Sequence, residues 1–126
     1  MMSADEIIAK VKKDGHLTGG DLTGIDLSRQ DLTGVILEGV QMPMANLEGA
    51  KLGDSAMIRV NLAGARMSGA DLTGGRLDNV DLAGARMEKA VLTNAILQDV
   101  SLIGTDLSGT DLSLSLIHIS EPTRPY

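Results

Sequence analysis

The side chains that could perform chemistry are two histidines and a run of aspartates near the amino terminus. His16 and His118 lie far apart in a chain without cysteine, so the sequence offers no Cys/His cluster with metal-ligand spacing and no nucleophile beside a base. Asp21, Asp26 and Asp31 recur at every fifth residue and could form a metal site or an acid–base pair if they converged. The alternative is three separate, solvated surface charges. The elements that carry them decide between these interpretations.

The composition limits the class of protein. The chain has 126 residues, 43% of them hydrophobic, yet it contains no Phe, Trp or Cys and a single Tyr. A core of interlocking aromatic side chains and a disulfide framework are therefore excluded. No apolar run approaches the roughly 20 residues of a membrane span, and the amino-terminal segment carries acidic residues where a secretory signal needs positive charge. We expect a cytoplasmic protein without membrane contact, and the net charge of -6 disfavours direct binding to nucleic acid.

A large aliphatic side chain, Leu or Met, occupies every fifth residue from Leu17 to Leu112 without exception. A step of five spreads side chains around an α-helix and alternates between the two faces of a strand, so neither element buries them all. A chain that turns a corner after every five residues does bury them all. We number the five slots of each repeat so that the Leu or Met stands in slot three.

The remaining slots predict the corners of this chain. Slot one, two residues before the Leu or Met, holds mostly Ala, Val or smaller residues and points inward beside it, because side chains two apart share a face. Slot five is Gly in 11 of 20 repeats and Asn in two, which is typical of a type II turn, whose third residue needs a positive φ. Pro43 in slot four suits the preceding turn position.

A longer period, in which residue types recur at every fourth repeat, indicates four repeats per coil. Slot one repeats the same residue type at this interval, as in Val40, Val60, Val80 and Val100. If the corners are right-angled, each coil closes after four repeats, so that residues 15–114 form five coils in a rod about 24 Å long at an inter-strand spacing of about 4.8 Å. On such a rod the slot-two aspartates diverge. We therefore expect solvated charges, no metal or cofactor site, no catalytic residue and no enzymatic activity.

The A(D/N)Lxx pattern resembles the pentapeptide-repeat family. It is seen as ANL at Ala45 to Leu47, as ADL at Ala70 to Leu72 and as VDL at Val80 to Leu82. The resemblance covers about 100 of the 126 residues. It implies an all-β fold, a right-handed quadrilateral β-helix of about five coils.

The amino terminus predicts a cover for the first coil. Ser3 and Glu6 form an S-x-x-E capping box, and Ile7, Ile8 and Val11 form an apolar face. We expect a short amphipathic helix from Ser3 to Lys13 that lies over the first coil. The alternative is a helix that contacts a membrane surface or a partner. Residues 1–14 are thus interpreted as an N-terminal capping α-helix and residues 15–113 as the pentapeptide-repeat β-helix.

The tail LSLIHISEPTRPY, residues 114–126, carries neither the repeat nor a cap. Residues Leu114 to Arg124 match the translation of a transposase-type sequencing adapter. We expect this tail to be non-native and disordered or poorly packed, and the natural gene to continue beyond residue 113 with further repeats. A natural tail is the alternative.

One face of the rod carries mostly apolar residues in slot two, where the other faces carry mostly Asp, Asn or Arg. It starts at His16 and continues at every fourth repeat, with a further isoleucine beside it in slot four. The sequence predicts a partner-contact stripe here, or else scattered surface aliphatics without function. The stripe consists of Ile36, Ala56, Ile58, Arg76 and Ile96.

These features favour a non-catalytic protein-interaction or scaffold rod of a bacterial cell, with an unidentified protein partner and no cofactor. A homodimer formed through the missing C-terminal region is a second partner hypothesis, because some relatives dimerise through such a segment. The alternative function is that of a DNA-mimicking inhibitor or protector of DNA gyrase or topoisomerase, as the resemblance implies for acidic family members. Those members favour Phe in the core and a broad negative face, whereas this chain lacks Phe and carries arginines in its middle coils.

Overall fold

The computed structural model describes residues 3–119. One helix precedes six strands: α1 (Ala4–Asp14), β1 (His16–Thr18), β2 (Ile36–Glu38), β3 (Ala56–Ile58), β4 (Arg76–Asp78), β5 (Ile96–Val100) and β6 (Leu116–Ile119). The strands form a single six-stranded sheet in chain order, and every neighbouring pair is parallel.

Helix α1 covers the amino-terminal end of the rod. The Ser3 hydroxyl accepts a hydrogen bond from the backbone N–H of Glu6 at 3.2 Å, and the Glu6 carboxylate accepts one from the Ser3 N–H at 3.3 Å. Gly15, at a φ of 77°, ends the helix by donating its N–H to the carbonyl oxygen of Val11. Ile7 and Val11 are buried over the first coil. The expected capping helix is confirmed, one residue later at each end. Within residues 3–119, no helix has the length and apolarity to cross a membrane.

Residues 20 apart lie beside each other along the rod. His16 pairs with Ile36 in the sheet, and each later strand repeats that step. The other three sides are joined at the same step by isolated parallel bridges that begin at Asp21, Asp26 and Asp31. We call the side formed by β1–β6 the strand face, and the sides that begin at residues 21, 26 and 31 the second, third and fourth faces. The quadrilateral β-solenoid of about five coils is confirmed.

Slots three and one fill the interior. Every slot-three side chain from Leu27 to Leu97 is at most 4% exposed, whereas those of the end coils are only partly buried. From Val35 to Val100, slot one packs Ala and Val beside them, except at Ser55 and Gly75. The Ser55 hydroxyl is buried and has no hydrogen-bond partner among the described residues. The middle coils therefore bury the most apolar surface per residue.

Slot five turns the corners. All 20 of its residues, from Gly19 to Leu114, have a positive φ between 52° and 76°. The eleven glycines adopt this conformation without steric cost, and the four Asn and Asp residues tolerate it. The five other residues, such as Met44, are strained by their Cβ. On the second, third and fourth faces the slot-one N–H donates to the slot-three carbonyl of the same corner, as Ala50 does to Leu47 at 3.1 Å. This is the hydrogen bond of the predicted type II turn.

The corners that follow the strand face differ from this pattern. Within the described residues, the N–H groups of Val40, Val60 and Val80 do not make the turn hydrogen bond that their counterparts make. Here the slot-three residue lies inside the continuous sheet, where the parallel ladder between coils uses its backbone groups. A single turn type at every corner, as the glycine pattern suggests, therefore does not describe this face.

Candidate interaction face

The residues that could perform chemistry are not brought together. Nδ1 of His16 lies 3.2 Å from the carbonyl oxygen of Asp14, while Nδ1 of His118 lies 2.9 Å from Nε2 of Gln98 near the opposite end of the rod. In residues 3–119, no group of three or more His, Cys, Asp or Glu side chains could hold a metal ion.

The slot-two aspartates are bound to their own corners. Oδ1 of Asp31 accepts the Thr33 hydroxyl at 2.6 Å and the Thr33 backbone N–H at 3.1 Å, and Asp21 and Asp26 repeat this arrangement. These bonds, the hydroxyl's above all, lower the pKa of all three carboxyl groups. The three side chains are exposed on three different faces, so they stabilise corners and do not converge on a ligand.

The strand face brings the predicted stripe together. Ile36, Ala56, Arg76 and Ile96 occupy consecutive rungs of one outward ladder, and Ile58 lies in the neighbouring ladder beside Ala56. Ile36 and Ile96 are 45% and 44% exposed, and the two residues at the level of β3 are half-buried. The five side chains are thus continuous in space. That a partner contacts them stays a prediction.

The charges of the strand face are arranged unevenly. Glu38 is held at the edge by Arg59, with 2.6 Å between the carboxylate oxygen and the guanidinium nitrogen. Arg76 and Asp78, two residues apart on β4, form no ion pair within residues 3–119. One positive and one negative side chain therefore stand side by side among uncharged neighbours, each able to pair with an opposite charge from outside.

An open polar groove follows the corner between the strand face and the second face. It has a volume of about 390 Å³ and is lined by Arg59, Asp81 and Asp99 together with asparagine, glutamine and serine side chains. Val60 and Val80, which are both buried, also line it. The groove presents hydrogen-bond donors and acceptors together with charges of both signs. Its described lining contains no His, Cys or Lys that could serve as nucleophile or base beside the carboxylates.

Two exposed aliphatic residues on the second face were not singled out from the sequence. Met44 and Ile103 are 64% and 67% exposed. Slots four and five of this face carry no charged residue from Thr23 to Gly104. The signal in the sequence is the absence of charge in these two slots when they are compared at every fourth repeat.

The strand face continues into the segment predicted to be non-native. β6 pairs with β5, with Leu97 beside Ile117. Leu114, Leu116 and Ile117 remain 79%, 67% and 41% exposed, so this segment adds backbone pairing but little apolar burial. The adapter origin of residues 114–126 stays a prediction, and residues 120–126 lie outside the described part.

Comparison with known proteins gives consistent matches. The family profile "Pentapeptide repeats" matches residues 16–43, 45–79 and 76–113 in 8 copies. Full-length QnrB1, a plasmid-mediated fluoroquinolone resistance protein, is 16% identical with a TM-score of 0.64 over 79% of this chain and 64% of its own. A trypsin-treated form of QnrB1 is 24% identical with a TM-score of 0.54, over 79% and 61%.

A third solved structure covers more of both chains. The pentapeptide repeat protein Rfr23 from the cyanobacterium Cyanothece 51142 is 24% identical with a TM-score of 0.44, over 88% of this chain and 97% of its own. No curated protein sequence matches this chain. The chain spans less than two thirds of the length of the QnrB1 chains.

Proposed function

The chain belongs to the pentapeptide repeat family, and on this premise we propose that it is a non-catalytic rod whose strand face binds a protein partner. One observation carries the proposal. Slot two of the strand face forms an outward ladder in which aliphatic residues recur, whereas the second and third faces carry polar or charged residues at every described rung of that slot. Covering the exposed part of Ile36 and of Ile96 contributes on the order of 1 to 2 kcal/mol for each side chain.

The rigidity of the rod supports a binding role. Backbone hydrogen bonds join neighbouring coils on all four faces, so the outward ladders are fixed before a partner arrives. A preordered surface loses little conformational entropy on binding, which favours association for a given buried area. A rod of this kind offers recognition without any reacting group.

A substitution pair tests the strand face directly. We expect Ile36→Asp together with Ile96→Asp to abolish capture of a specific protein partner from an extract of the native host, because two charges would be buried in the contact. Val91→Asp is the matched control, since Val91 is an aliphatic slot-two residue on the fourth face. Captured proteins are quantified by mass spectrometry, and circular dichroism checks the fold. If both variants capture the same proteins as the wild type, the strand face is not the binding surface.

Gyrase or topoisomerase inhibition by DNA mimicry is the second candidate function. The net charge of -6 favours it, since a DNA mimic must present negative charge. Arg59 and Arg66, however, pair with Glu38 and Glu48 and neutralise carboxylates in the middle of the rod. A gyrase supercoiling assay with and without a quinolone separates the two functions. Inhibition or protection at stoichiometric protein would support DNA mimicry, and unchanged supercoiling would support the interaction rod.

Two further parts of the proposal concern location and assembly. We place the rod in the cytoplasm, which fractionation of cells producing a tagged chain tests. A homodimer through a region beyond residue 113 is the partner hypothesis for the full gene product. Comparing the oligomeric mass of that product with the mass of a chain ending at residue 113 tests it.

A further inference from the structure

We propose that the partner of the strand face is a second copy of this chain, packed face to face with the two rods parallel and related by a two-fold axis along the rod. This inference rests on the proposed function, because it names the occupant of the same face. The observation behind it is the unpaired couple Arg76 and Asp78 at the middle of that face.

The two-fold operation determines which residues meet. Slots two and four of one coil point outward from the same strand and stand about 6.7 Å apart. An axis that runs along the rod between two facing copies places slot two of each copy opposite slot four of the other, at the same level. Arg76 then lies opposite Asp78 of the second copy, and the symmetry forms this pair twice.

The neighbouring rungs fit the same arrangement. On β3, Ala56 lies opposite Ile58 of the second copy, so the smallest and one of the largest aliphatic residues of the face meet twice. On β5, Ile96 lies opposite the uncharged Gln98. On β2, Ile36 meets Glu38, whose carboxylate is already neutralised by Arg59 within its own copy. None of these rungs places two like charges together.

Antiparallel packing of the same faces is disfavoured by the same side chains. A two-fold axis along the strands sets slot two against slot two and slot four against slot four at reversed levels. Centred on β4, it places Arg76 against Arg76 and Asp78 against Asp78. An axis centred on β3 places Asp78 against Glu38. An axis centred between β3 and β4 places Arg76 against Ala56 and Asp78 against Ile58. Each case costs either like-charge repulsion or an unpaired desolvated charge.

The dimensions of the face set the strength of the dimer. Six strands about 4.8 Å apart give a contact about 24 Å long and two side chains wide. Such a patch falls in the range of weak, transient interfaces and below that of stable dimers. The chain should therefore be monomeric at low concentration and dimeric at high concentration.

Sedimentation velocity on the full chain, from about 10 μM to about 1 mM at low salt, measures this equilibrium. We expect the wild-type mass to rise from 13.2 kDa towards twice that value. Arg76→Asp or Asp78→Arg alone should weaken association at least tenfold, because each creates two like-charge contacts across the axis. The double variant Arg76→Asp/Asp78→Arg should recover wild-type association to within about threefold, since the pairs re-form with reversed sign.

Arg86→Asp is the matched control, because Arg86 is an exposed slot-two residue on the third face, and it should leave association unchanged. A wild-type chain that stays monomeric up to about 1 mM, or a double variant that associates no better than the single variants, would overturn the parallel dimer. Either result can coexist with capture of another protein that depends on Ile36 and Ile96. In that case the proposed function would stand with a different occupant. Loss of both behaviours would remove both proposals.

Discussion

Leu72 offers the sharpest test of the fold, because it lies in the middle of an inner ladder between Leu52 and Leu92 and is fully buried. Leu72→Ala removes three carbon atoms, which at about 0.8 kcal/mol each gives about 2.4 kcal/mol of lost burial. Backbone hydrogen bonds to both neighbouring coils hold the walls in place, so the interior cannot collapse around the gap, and the cavity adds about 1 to 2 kcal/mol. We expect the free energy of unfolding to fall by about 3.5 to 4.5 kcal/mol.

Leu112→Ala is the matched control, since Leu112 occupies the same ladder at the carboxyl-terminal end and is only partly buried. We expect a cost of about 1 kcal/mol there, because fewer neighbours are lost and the end coil can relax. Urea unfolding followed by circular dichroism measures both variants. Equal costs at the two positions, or a cost below about 1 kcal/mol for Leu72→Ala, would contradict a closed interior lined by slot three.

Three further substitutions test the corners and the polar groups. Ser55→Ala removes a buried hydroxyl that has no partner among the described residues, so it should raise the free energy of unfolding by about 1 kcal/mol in urea denaturation. A variant that is less stable than the wild type would contradict this. Gly69→Ala should destabilise the fold by about 1 kcal/mol, because Gly69 has a φ of 69°, a conformation that a Cβ strains although the space around it is open. Gly53→Ala is the control at a glycine without a positive φ, and it should leave the stability unchanged or raise it slightly. Hydrogen bonds from the Thr73 hydroxyl and N–H lower the pKa of Asp71. The ionised carboxylate therefore stabilises the fold at a pH above the pKa of Asp71 in the unfolded chain. This stabilisation is lost as the pH falls through the pKa of Asp71 in the folded chain. Thr73→Val should raise the pKa of Asp71 in an NMR titration and reduce the loss of stability on acidification; an unchanged pKa would assign its lowering to another cause.

The interior and the corners could be predicted because each repeat carries the same information. Leu or Met at every fifth residue requires a turn after every repeat, and the Val40 to Val100 series sets the coil at four repeats. The predicted burial of Leu62, Leu72 and Leu82 is confirmed, with each 0% exposed. The positive φ at Arg29 and Met44 shows that position in the repeat prevails over residue type, since neither residue favours that conformation on its own.

The remaining features depend on relations between coils, which the five-residue pattern does not contain. The open corner at Val60 arises because the continuous sheet occupies backbone groups that elsewhere close the turn. The uncharged surface around Met44 and Ile103 becomes visible only when slots four and five are compared across coils. Arg76 lacks an ion pair within residues 3–119, where its neighbours in the outward ladder, Ala56 and Ile96, are uncharged.

The register between coils has a consequence for how such rods change in length. Removal or duplication of a whole coil leaves every surviving residue with neighbours of the same kind, because residues 20 apart occupy equivalent sites. An insertion of a single residue would instead rotate all later side chains out of phase, turning leucines towards water and aspartates towards the axis. Lengths that differ by whole coils are therefore accessible to evolution and to engineering, whereas lengths that differ by a number of residues that is not a multiple of five are closed to both.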